Sequence, residues 1–420
     1  MGKRIHYAWG ILAVGFIIYF TTQAQAVQIA DKFTRSISVE FGVSQGVCSL
    51  SSIAWYLGSI IAAPIWGKLM KKNGFQQLMS FCAVMTALGF YLNSVSTNIY
   101  MLIIAGLFRG VFFAGAAMLP VTILITSWFS KRRGLAMGAV AMAAVLGGMA
   151  LDPLIQLVIG QRGWRAAELY HAVLVLIVAP VTLLFVRSDP EKKGLKPFGY
   201  REVLVKKADA GQDADGLTFK EARRTPYFYI LLFASFSTAL AAGAILQLSP
   251  YLTNRGYGPE LAAQITRFLP YLTLLGCPLI GLLYDKCTGT AAARVILLTA
   301  ALGFVCLINA SNPIFLIIAV ALWGITGGMS LIMPPLWASA MFGTEDFVKI
   351  LCWTVVMNRL GSMVSGYFVR LFAGPTVNSS LIWAFCGALM LASMLGIVPS
   401  LIKMERHRTA VDAEYSVVDM

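Results

Sequence analysis

The chain has 420 residues, of which 58% are hydrophobic and only 12% charged, and its mean hydropathy is +0.75. Soluble domains carry roughly a quarter charged residues, so this composition excludes a soluble globular protein and indicates a membrane one. The formal net charge of +14 then reads as an orientation signal facing anionic membrane lipid, and a nucleic-acid partner is not expected.

Apolar stretches of about 20 residues, long enough to cross the hydrocarbon at ~1.5 Å per residue, recur along the whole chain. Twelve spans are predicted, which makes an all-α membrane protein of two six-helix bundles. They lie near Tyr7 to Ala30, Cys48 to Met70, Leu78 to Val95, Ile99 to Phe129, Gly134 to Ile159, Ala166 to Val186, Tyr227 to Leu248, Leu261 to Tyr284, Val295 to Ile308, Ile314 to Met333, Ile350 to Phe372 and Ser380 to Ile402. The first run is too long for a signal peptide and lacks a small-residue cleavage site, so it is expected to stay as the first helix. Most Lys and Arg fall on one side of this arrangement, including Lys68, Lys71, Lys72, the Lys131 to Arg133 run and those between Arg187 and Arg224. By the positive-inside rule both termini are cytoplasmic, and the expected location is a bacterial cell membrane. The seven cysteines match no metal or redox spacing and read as packing residues.

The polar stretch Ser188 to Thr225 interrupts the apolar rhythm. It divides the chain into a first bundle (1–187), a cytoplasmic linker (188–225), a second bundle (226–402) and a cytoplasmic tail (403–420). Within "LTFKEARRTP", Thr218 and Glu221 have the spacing of a capping box, which predicts a short amphipathic helix before the seventh span. The two bundles carry a weak repeat: "GKLMKKNG" follows the second span and "GLLYDKCTG" the eighth, with Gly67 and Gly281 opening the two copies about half a chain apart. Such a sequence makes a tight inner turn whose acid can cap a neighbouring helix and pair with its basic flank. Gly67, Gly74, Gly281, Asp285 and Lys286 are therefore candidate gating residues, although Lys71 stands where the first copy would carry its acid. Matched six-helix halves suit a carrier whose substrate site lies at mid-membrane.

Several longer motifs point further: "HYAW" at the first helix, "SWFSKRRGLAMG" from Ser127, "GWRAA" from Gly163, "TFKEARRTPYF" from Thr218 and "MFGTEDF" from Met341. With them the chain resembles, along nearly its whole length, a major facilitator superfamily transporter of the monocarboxylate transporter and oxalate/formate antiporter branch. The resemblance implies helices rocking around a central cavity and transport of small carboxylates with a proton or by exchange. It also implies a basic residue on the eleventh helix close to Arg359. Related monocarboxylate carriers place an Arg-Pro pair in the eighth helix with an acid one turn earlier; here Cys277-Pro278 and Thr273 occupy those places, so that arginine is missing.

The remaining intramembrane charges become the candidates. An arginine at mid-bilayer costs at least ~3 kcal/mol on insertion scales and asks for a partner, water or an anion. Arg109 and Arg359 each lie about halfway along a span, one in each half, where two guanidiniums would bind a carboxylate. The alternative is a structural pairing with a helix carbonyl or Asp152. Asn358, Tyr19, Gln23 and Gln247 are further candidates for lining the substrate site. Asp152, His171 and Glu168 are candidates for carrying a coupling proton. No nucleotide-binding loop, metal constellation or nucleophile is legible, so neither a cofactor nor enzyme activity is expected. The expected partners are a small organic anion, a proton or counter-anion, and lipid, with the monomer as working unit. Two other readings are open: a carrier or exporter of amphipathic or aromatic compounds, and a non-transporting sensor of the same fold.

Overall fold

The computed structural model describes residues 6–24, 30–72, 74–191, 194–200, 216–372 and 380–418. Among these the secondary structure is helical, apart from two isolated bridges. The first half of the chain forms α1 (Tyr7–Ala24), α2 (Ala30–Phe41), α3 (Gln45–Lys72), α4 (Phe75–Ser94), α5 (Ile99–Ala116), α6 (Met118–Trp128), α7 (Arg133–Leu176) and α8 (Val178–Phe185). The second forms α9 (Phe219–Ala222), α10 (Pro226–Ala244), α11 (Leu248–Asn254), α12 (Pro259–Lys286), α13 (Gly289–Ile308), α14 (Pro313–Thr326), α15 (Met329–Phe342), α16 (Phe347–Phe372) and α17 (Ser380–Val418). Two compact units result, Met1–Phe129 with Ala139–Phe198, and Ser130–Gly138 with Gly199–Met420.

Among the described residues nine stretches are individually long and apolar enough to span a membrane, and α14 with α15, bent by 46°, makes a tenth. The apolar Tyr7–Gln23 adds an eleventh. The twelfth comes from dividing Arg133–Phe185, whose 53 residues would run roughly 80 Å if straight, against ~30 Å of hydrocarbon. The division is made at Gly163, whose φ of 81° and ψ of 169° are open only to glycine. Here the helix breaks between "GQR" and "WRAA", where the sequence predicts the break between the fifth and sixth spans.

Ala30, expected to close the first span, instead opens a separate amphipathic helix, α2, and α1 itself is described to Ala24. On α2, Phe33 and Ile37, one turn apart, are buried against Cys48, Leu102, Leu151, Ile155, Trp164 and Ala167, with Phe41 packed alongside. Glu40 at its end accepts a hydrogen bond from Trp164 Nε1 at 2.5 Å and pairs with Arg165, which also donates to the Ser96 carbonyl. The seventh span also departs from expectation, continuing through a 3-10 turn at Ile245–Gln247 into α11.

Small residues bring helices close within each unit. A Cβ on Gly58, Gly106 or Gly110 would run into the opposing backbone between α3 and α5. In the second unit Gly134 and Gly138, at the start of α7, lie against Gly281 and Cys277 of α12 in the same manner. The internal repeat keeps one register through these helices. With Gly67 placed on Gly281, the 28-residue α3 and α12 begin together, at Gln45 and Pro259, and so do the 20-residue α4 and α13, at Phe75 and Gly289. The capping box expected before the seventh span is present, with Thr218 and Glu221 each bonding the other's backbone around the short α9.

Candidate functional site

Unit 1 gathers three sequence candidates into one buried cluster. Arg109, at mid-span on α5, has Nη1 3.7 Å from Glu168 Oε2 on α7, and its guanidinium carbon lies 4.6 Å from the centre of the Phe90 ring on α4. The Asn93 side chain of α4 lies beside the Glu168 carboxyl. His171, one turn along α7 from Glu168, packs its ring 5.4 Å from Phe90 and 5.6 Å from Phe33. Glu168 and His171 are 5% and 2% exposed. Among the described residues the counter-ion of Arg109 is thus Glu168 and not Asp152. Asp152, offered by the sequence as the alternative partner for an arginine, is only half-buried and accepts a hydrogen bond from Gln156 on its own helix. Phe90 and Asn93 sit on another helix and carry no signal in sequence that would tie them to Arg109.

On α1, Tyr19 and Gln23 are buried together with Thr22. The amide nitrogen and oxygen of Gln23 have no hydrogen-bond partner among the described residues, which is costly for a fully buried amide.

In unit 2 the arginine candidate stands midway along the 26-residue α16. Arg359 is 5% exposed, and its neighbour Asn358 donates to the Ser330 carbonyl at 2.9 Å. Ser330 belongs to the first turn of α15, immediately after the Gly327-Gly328 bend. Asn358 therefore ties the arginine-bearing helix to a break in the tenth span. Gln247 is half-buried where α10 gives way to α11, a second interruption of regular helix inside a span. Backbone of this kind at membrane depth is tolerated where protein or water-lined cavities satisfy it.

The inner-loop candidates divide sharply. Asp285 accepts hydrogen bonds from the backbone N–H of Gly134, at 2.9 Å, and of Leu135, at 2.7 Å, and so caps the positive end of α7. Gly281, one turn earlier, provides the close approach that permits this. Lys286 ends α12 in an exposed position. In the other copy Gly67 is buried within α3 and Gly74 starts α4, and Lys71 cannot cap in this way. Among the described residues no three His, Cys, Asp or Glu side chains are grouped to hold a metal.

The model of the Major Facilitator Superfamily matches residues 8–366. The chain belongs to this superfamily. It is a multi-pass membrane transporter and not an enzyme. Among curated relatives, mouse monocarboxylate transporter 12 is 24% identical over 95% of this chain and 87% of its own length. The glycerol-3-phosphate transporter of Bacillus subtilis is 26% identical over 41% of each chain. Among solved structures, the proton:xylose symporter XylE bound to 6-bromo-6-deoxy-D-glucose is similar in fold, with a TM-score of 0.73, 14% identity and coverage of 93% of this chain and 94% of the other. For a superfamily member the number and order of the twelve spans are then as the sequence predicts.

Proposed function

We propose that this transporter carries a small organic anion, a monocarboxylate first, across a bacterial cell membrane, with both termini on the cytoplasmic side. Transport runs by alternating access and is coupled to a proton or a counter-anion. The observation that carries this reading is Arg359, a buried guanidinium midway along α16. A guanidinium presents two parallel N–H donors together with a positive charge, which a carboxylate matches and no neutral solute does. Asn358, held to the Ser330 carbonyl, keeps the arginine in register with the bend in the tenth span. The name of the mouse relative, a monocarboxylate transporter matching nearly the whole chain, supports the same class.

The test is a thermal-shift screen of the purified protein against monocarboxylates, with their methyl esters, sugars and glycerol 3-phosphate alongside. Saturation at 100 times Kd stabilises by about 2.7 kcal/mol. Carboxylates are expected to raise Tm and their esters not, and labelled carboxylate should exchange in counterflow with reconstituted protein. A shift with sugars or esters alone, or ligand binding without counterflow, overturns the reading.

A further inference from the structure

The charged cluster of unit 1 has a counterpart in unit 2 that is entirely apolar. In the register that places Gly67 on Gly281, Phe90 corresponds to Phe304, Arg109 to Trp323, Asn93 to Leu307 and Glu168 to Ile382, beside Trp383. The contacts obey the same correspondence. Arg109 covers the Phe90 ring at 4.6 Å, and Trp323 packs on Phe304 at 4.7 Å, with Trp383 stacked on the same ring at 5.9 Å. A Cβ on Gly89 would meet Arg109 at 2.8 Å, and one on the matching Gly303 would meet the Trp323 nitrogen at 3.5 Å. Leu307 and Ile382 are buried, as Asn93 and Glu168 are.

One packing problem is thus solved twice, once with aromatic rings and once with an ion pair. An apolar replacement of a buried ion pair is often neutral or stabilising, so packing gives no reason for unit 1 to retain Arg109 and Glu168. Ionisable side chains inside a span are kept for function. Two further features suit proton traffic. Both ring nitrogens of His171 lack hydrogen-bond partners among the described residues. His171 also lies between Phe90 and Phe33 of α2, so it links the cluster to that helix. Among the described side chains, titratable and charged groups elsewhere on the surrounding elements are engaged apart from it or face outward. Glu40 of α2 is paired with Arg165, Asp152 is bonded by Gln156, and Arg162 donates to Tyr170. Arg35 of α2, Tyr91 of α4 and Tyr100 of α5 are exposed.

We propose that Glu168 is the carboxylate that binds the coupling proton, that its protonation releases Arg109 from the ion pair, and that His171 passes the proton to it from the α2 side. The step is a proton transfer alone: the imidazolium N–H bond breaks, the carboxyl O–H bond forms, and the charge of the Arg109–Glu168 pair rises by one. This inference rests on the anion-carrier reading and deepens it. Counterflow of labelled carboxylate at equal pH tests that reading, and accumulation driven by an imposed pH gradient tests the inference.

In liposomes, Glu168→Gln is expected to keep counterflow within about 3-fold of wild type and to lose gradient-driven accumulation. His171→Gln should keep counterflow and slow gradient-driven uptake at least 10-fold. A double variant, Arg109→Trp with Glu168→Ile, copies the residues of unit 2, is expected to fold if Glu168→Gln does not, and should show the same loss. Gradient-driven accumulation retained in either Glu168 variant, or absent from a wild-type protein that performs counterflow, overturns the inference while leaving the anion reading intact. Absence of counterflow from wild type overturns the reading beneath it.

Discussion

Arg359 and Arg109 pose the same question in the sequence, because each is a cation set in an apolar run. The structure separates them through neighbours no local pattern announces. Arg109 meets Glu168, which comes from a different helix far along the chain, and the ring of Phe90. A counter-ion brought from another helix has no spacing to betray it, which is why the sequence offers Asp152 as readily as Glu168. The residue types are legible, and the pairing is not. For Arg359 a bidentate carboxylate contact requires a planar fork, which lysine lacks. Arg359→Gln is therefore expected to abolish carboxylate-dependent stabilisation in the thermal-shift assay and to reduce counterflow at least 100-fold. Arg359→Lys, with its charge but not its fork, should bind about 10-fold more weakly than wild type. Normal counterflow in Arg359→Gln would remove this arginine from the site.

At the scale of helices, apolar length locates every span, and the glycine before Trp164 marks the break in α7. Interruptions within spans are less visible. The 3-10 turn at Ile245–Gln247 and the 46° bend between α14 and α15 sit in unbroken apolar sequence, where hydropathy is blind to backbone geometry. Helix α2 is legible in principle, since Phe33, Ile37 and Phe41 repeat every four residues, but the run is too short and polar to register as a span. Its docking makes a pH prediction. Hydrogen bonds from Arg165, and then from Trp164, hold the Glu40 carboxyl below its ordinary value of 4.5. A folded-state value below the unfolded one stabilises fully above the ordinary pKa and is lost as pH falls through the lowered one. Hydrogen exchange of α2 amides, corrected for intrinsic rate, should therefore be slow and constant from pH 8 to about 5 and accelerate in more acid solution. Glu40→Gln should exchange faster at pH 7 and lose most of that acid response. Because Glu40 is exposed, the expected change is modest, about 5-fold or less. Equal protection in both proteins at pH 7 would show that the apolar face alone holds α2.

Over the whole chain, the repeat seen in two short inner loops extends to helix lengths and to individual packing positions, while one segment of the first half of the sequence groups with the second compact unit. That segment is Ser130–Gly138. Close helix contact explains this. Gly134 and Gly138 have no side chain to keep α12 away, and the Asp285 carboxylate takes the two free N–H groups at the start of α7. Motif spacing reveals Asp285 as a capping acid but not which helix it caps. A second unit without this strap would leave Asp285 without its donors and uncover Gly281 and Cys277. Residues 199–420 expressed alone should therefore be less stable than the same chain co-expressed with residues 1–198, which supply the strap. Two hydrogen bonds to a carboxylate, at ~1.5–3 kcal/mol each, correspond to a fall in Tm on the order of 10 °C for a unit of this size. Thermal melts of a tagged 199–420 chain, followed by fluorescence-detected size exclusion with and without its companion, measure the difference. Asp285→Ala in the co-expressed pair should reproduce much of the fall. If 199–420 melts at the same temperature alone and in company, the strap is a passive neighbour and the capping bonds add nothing to the stability of the unit.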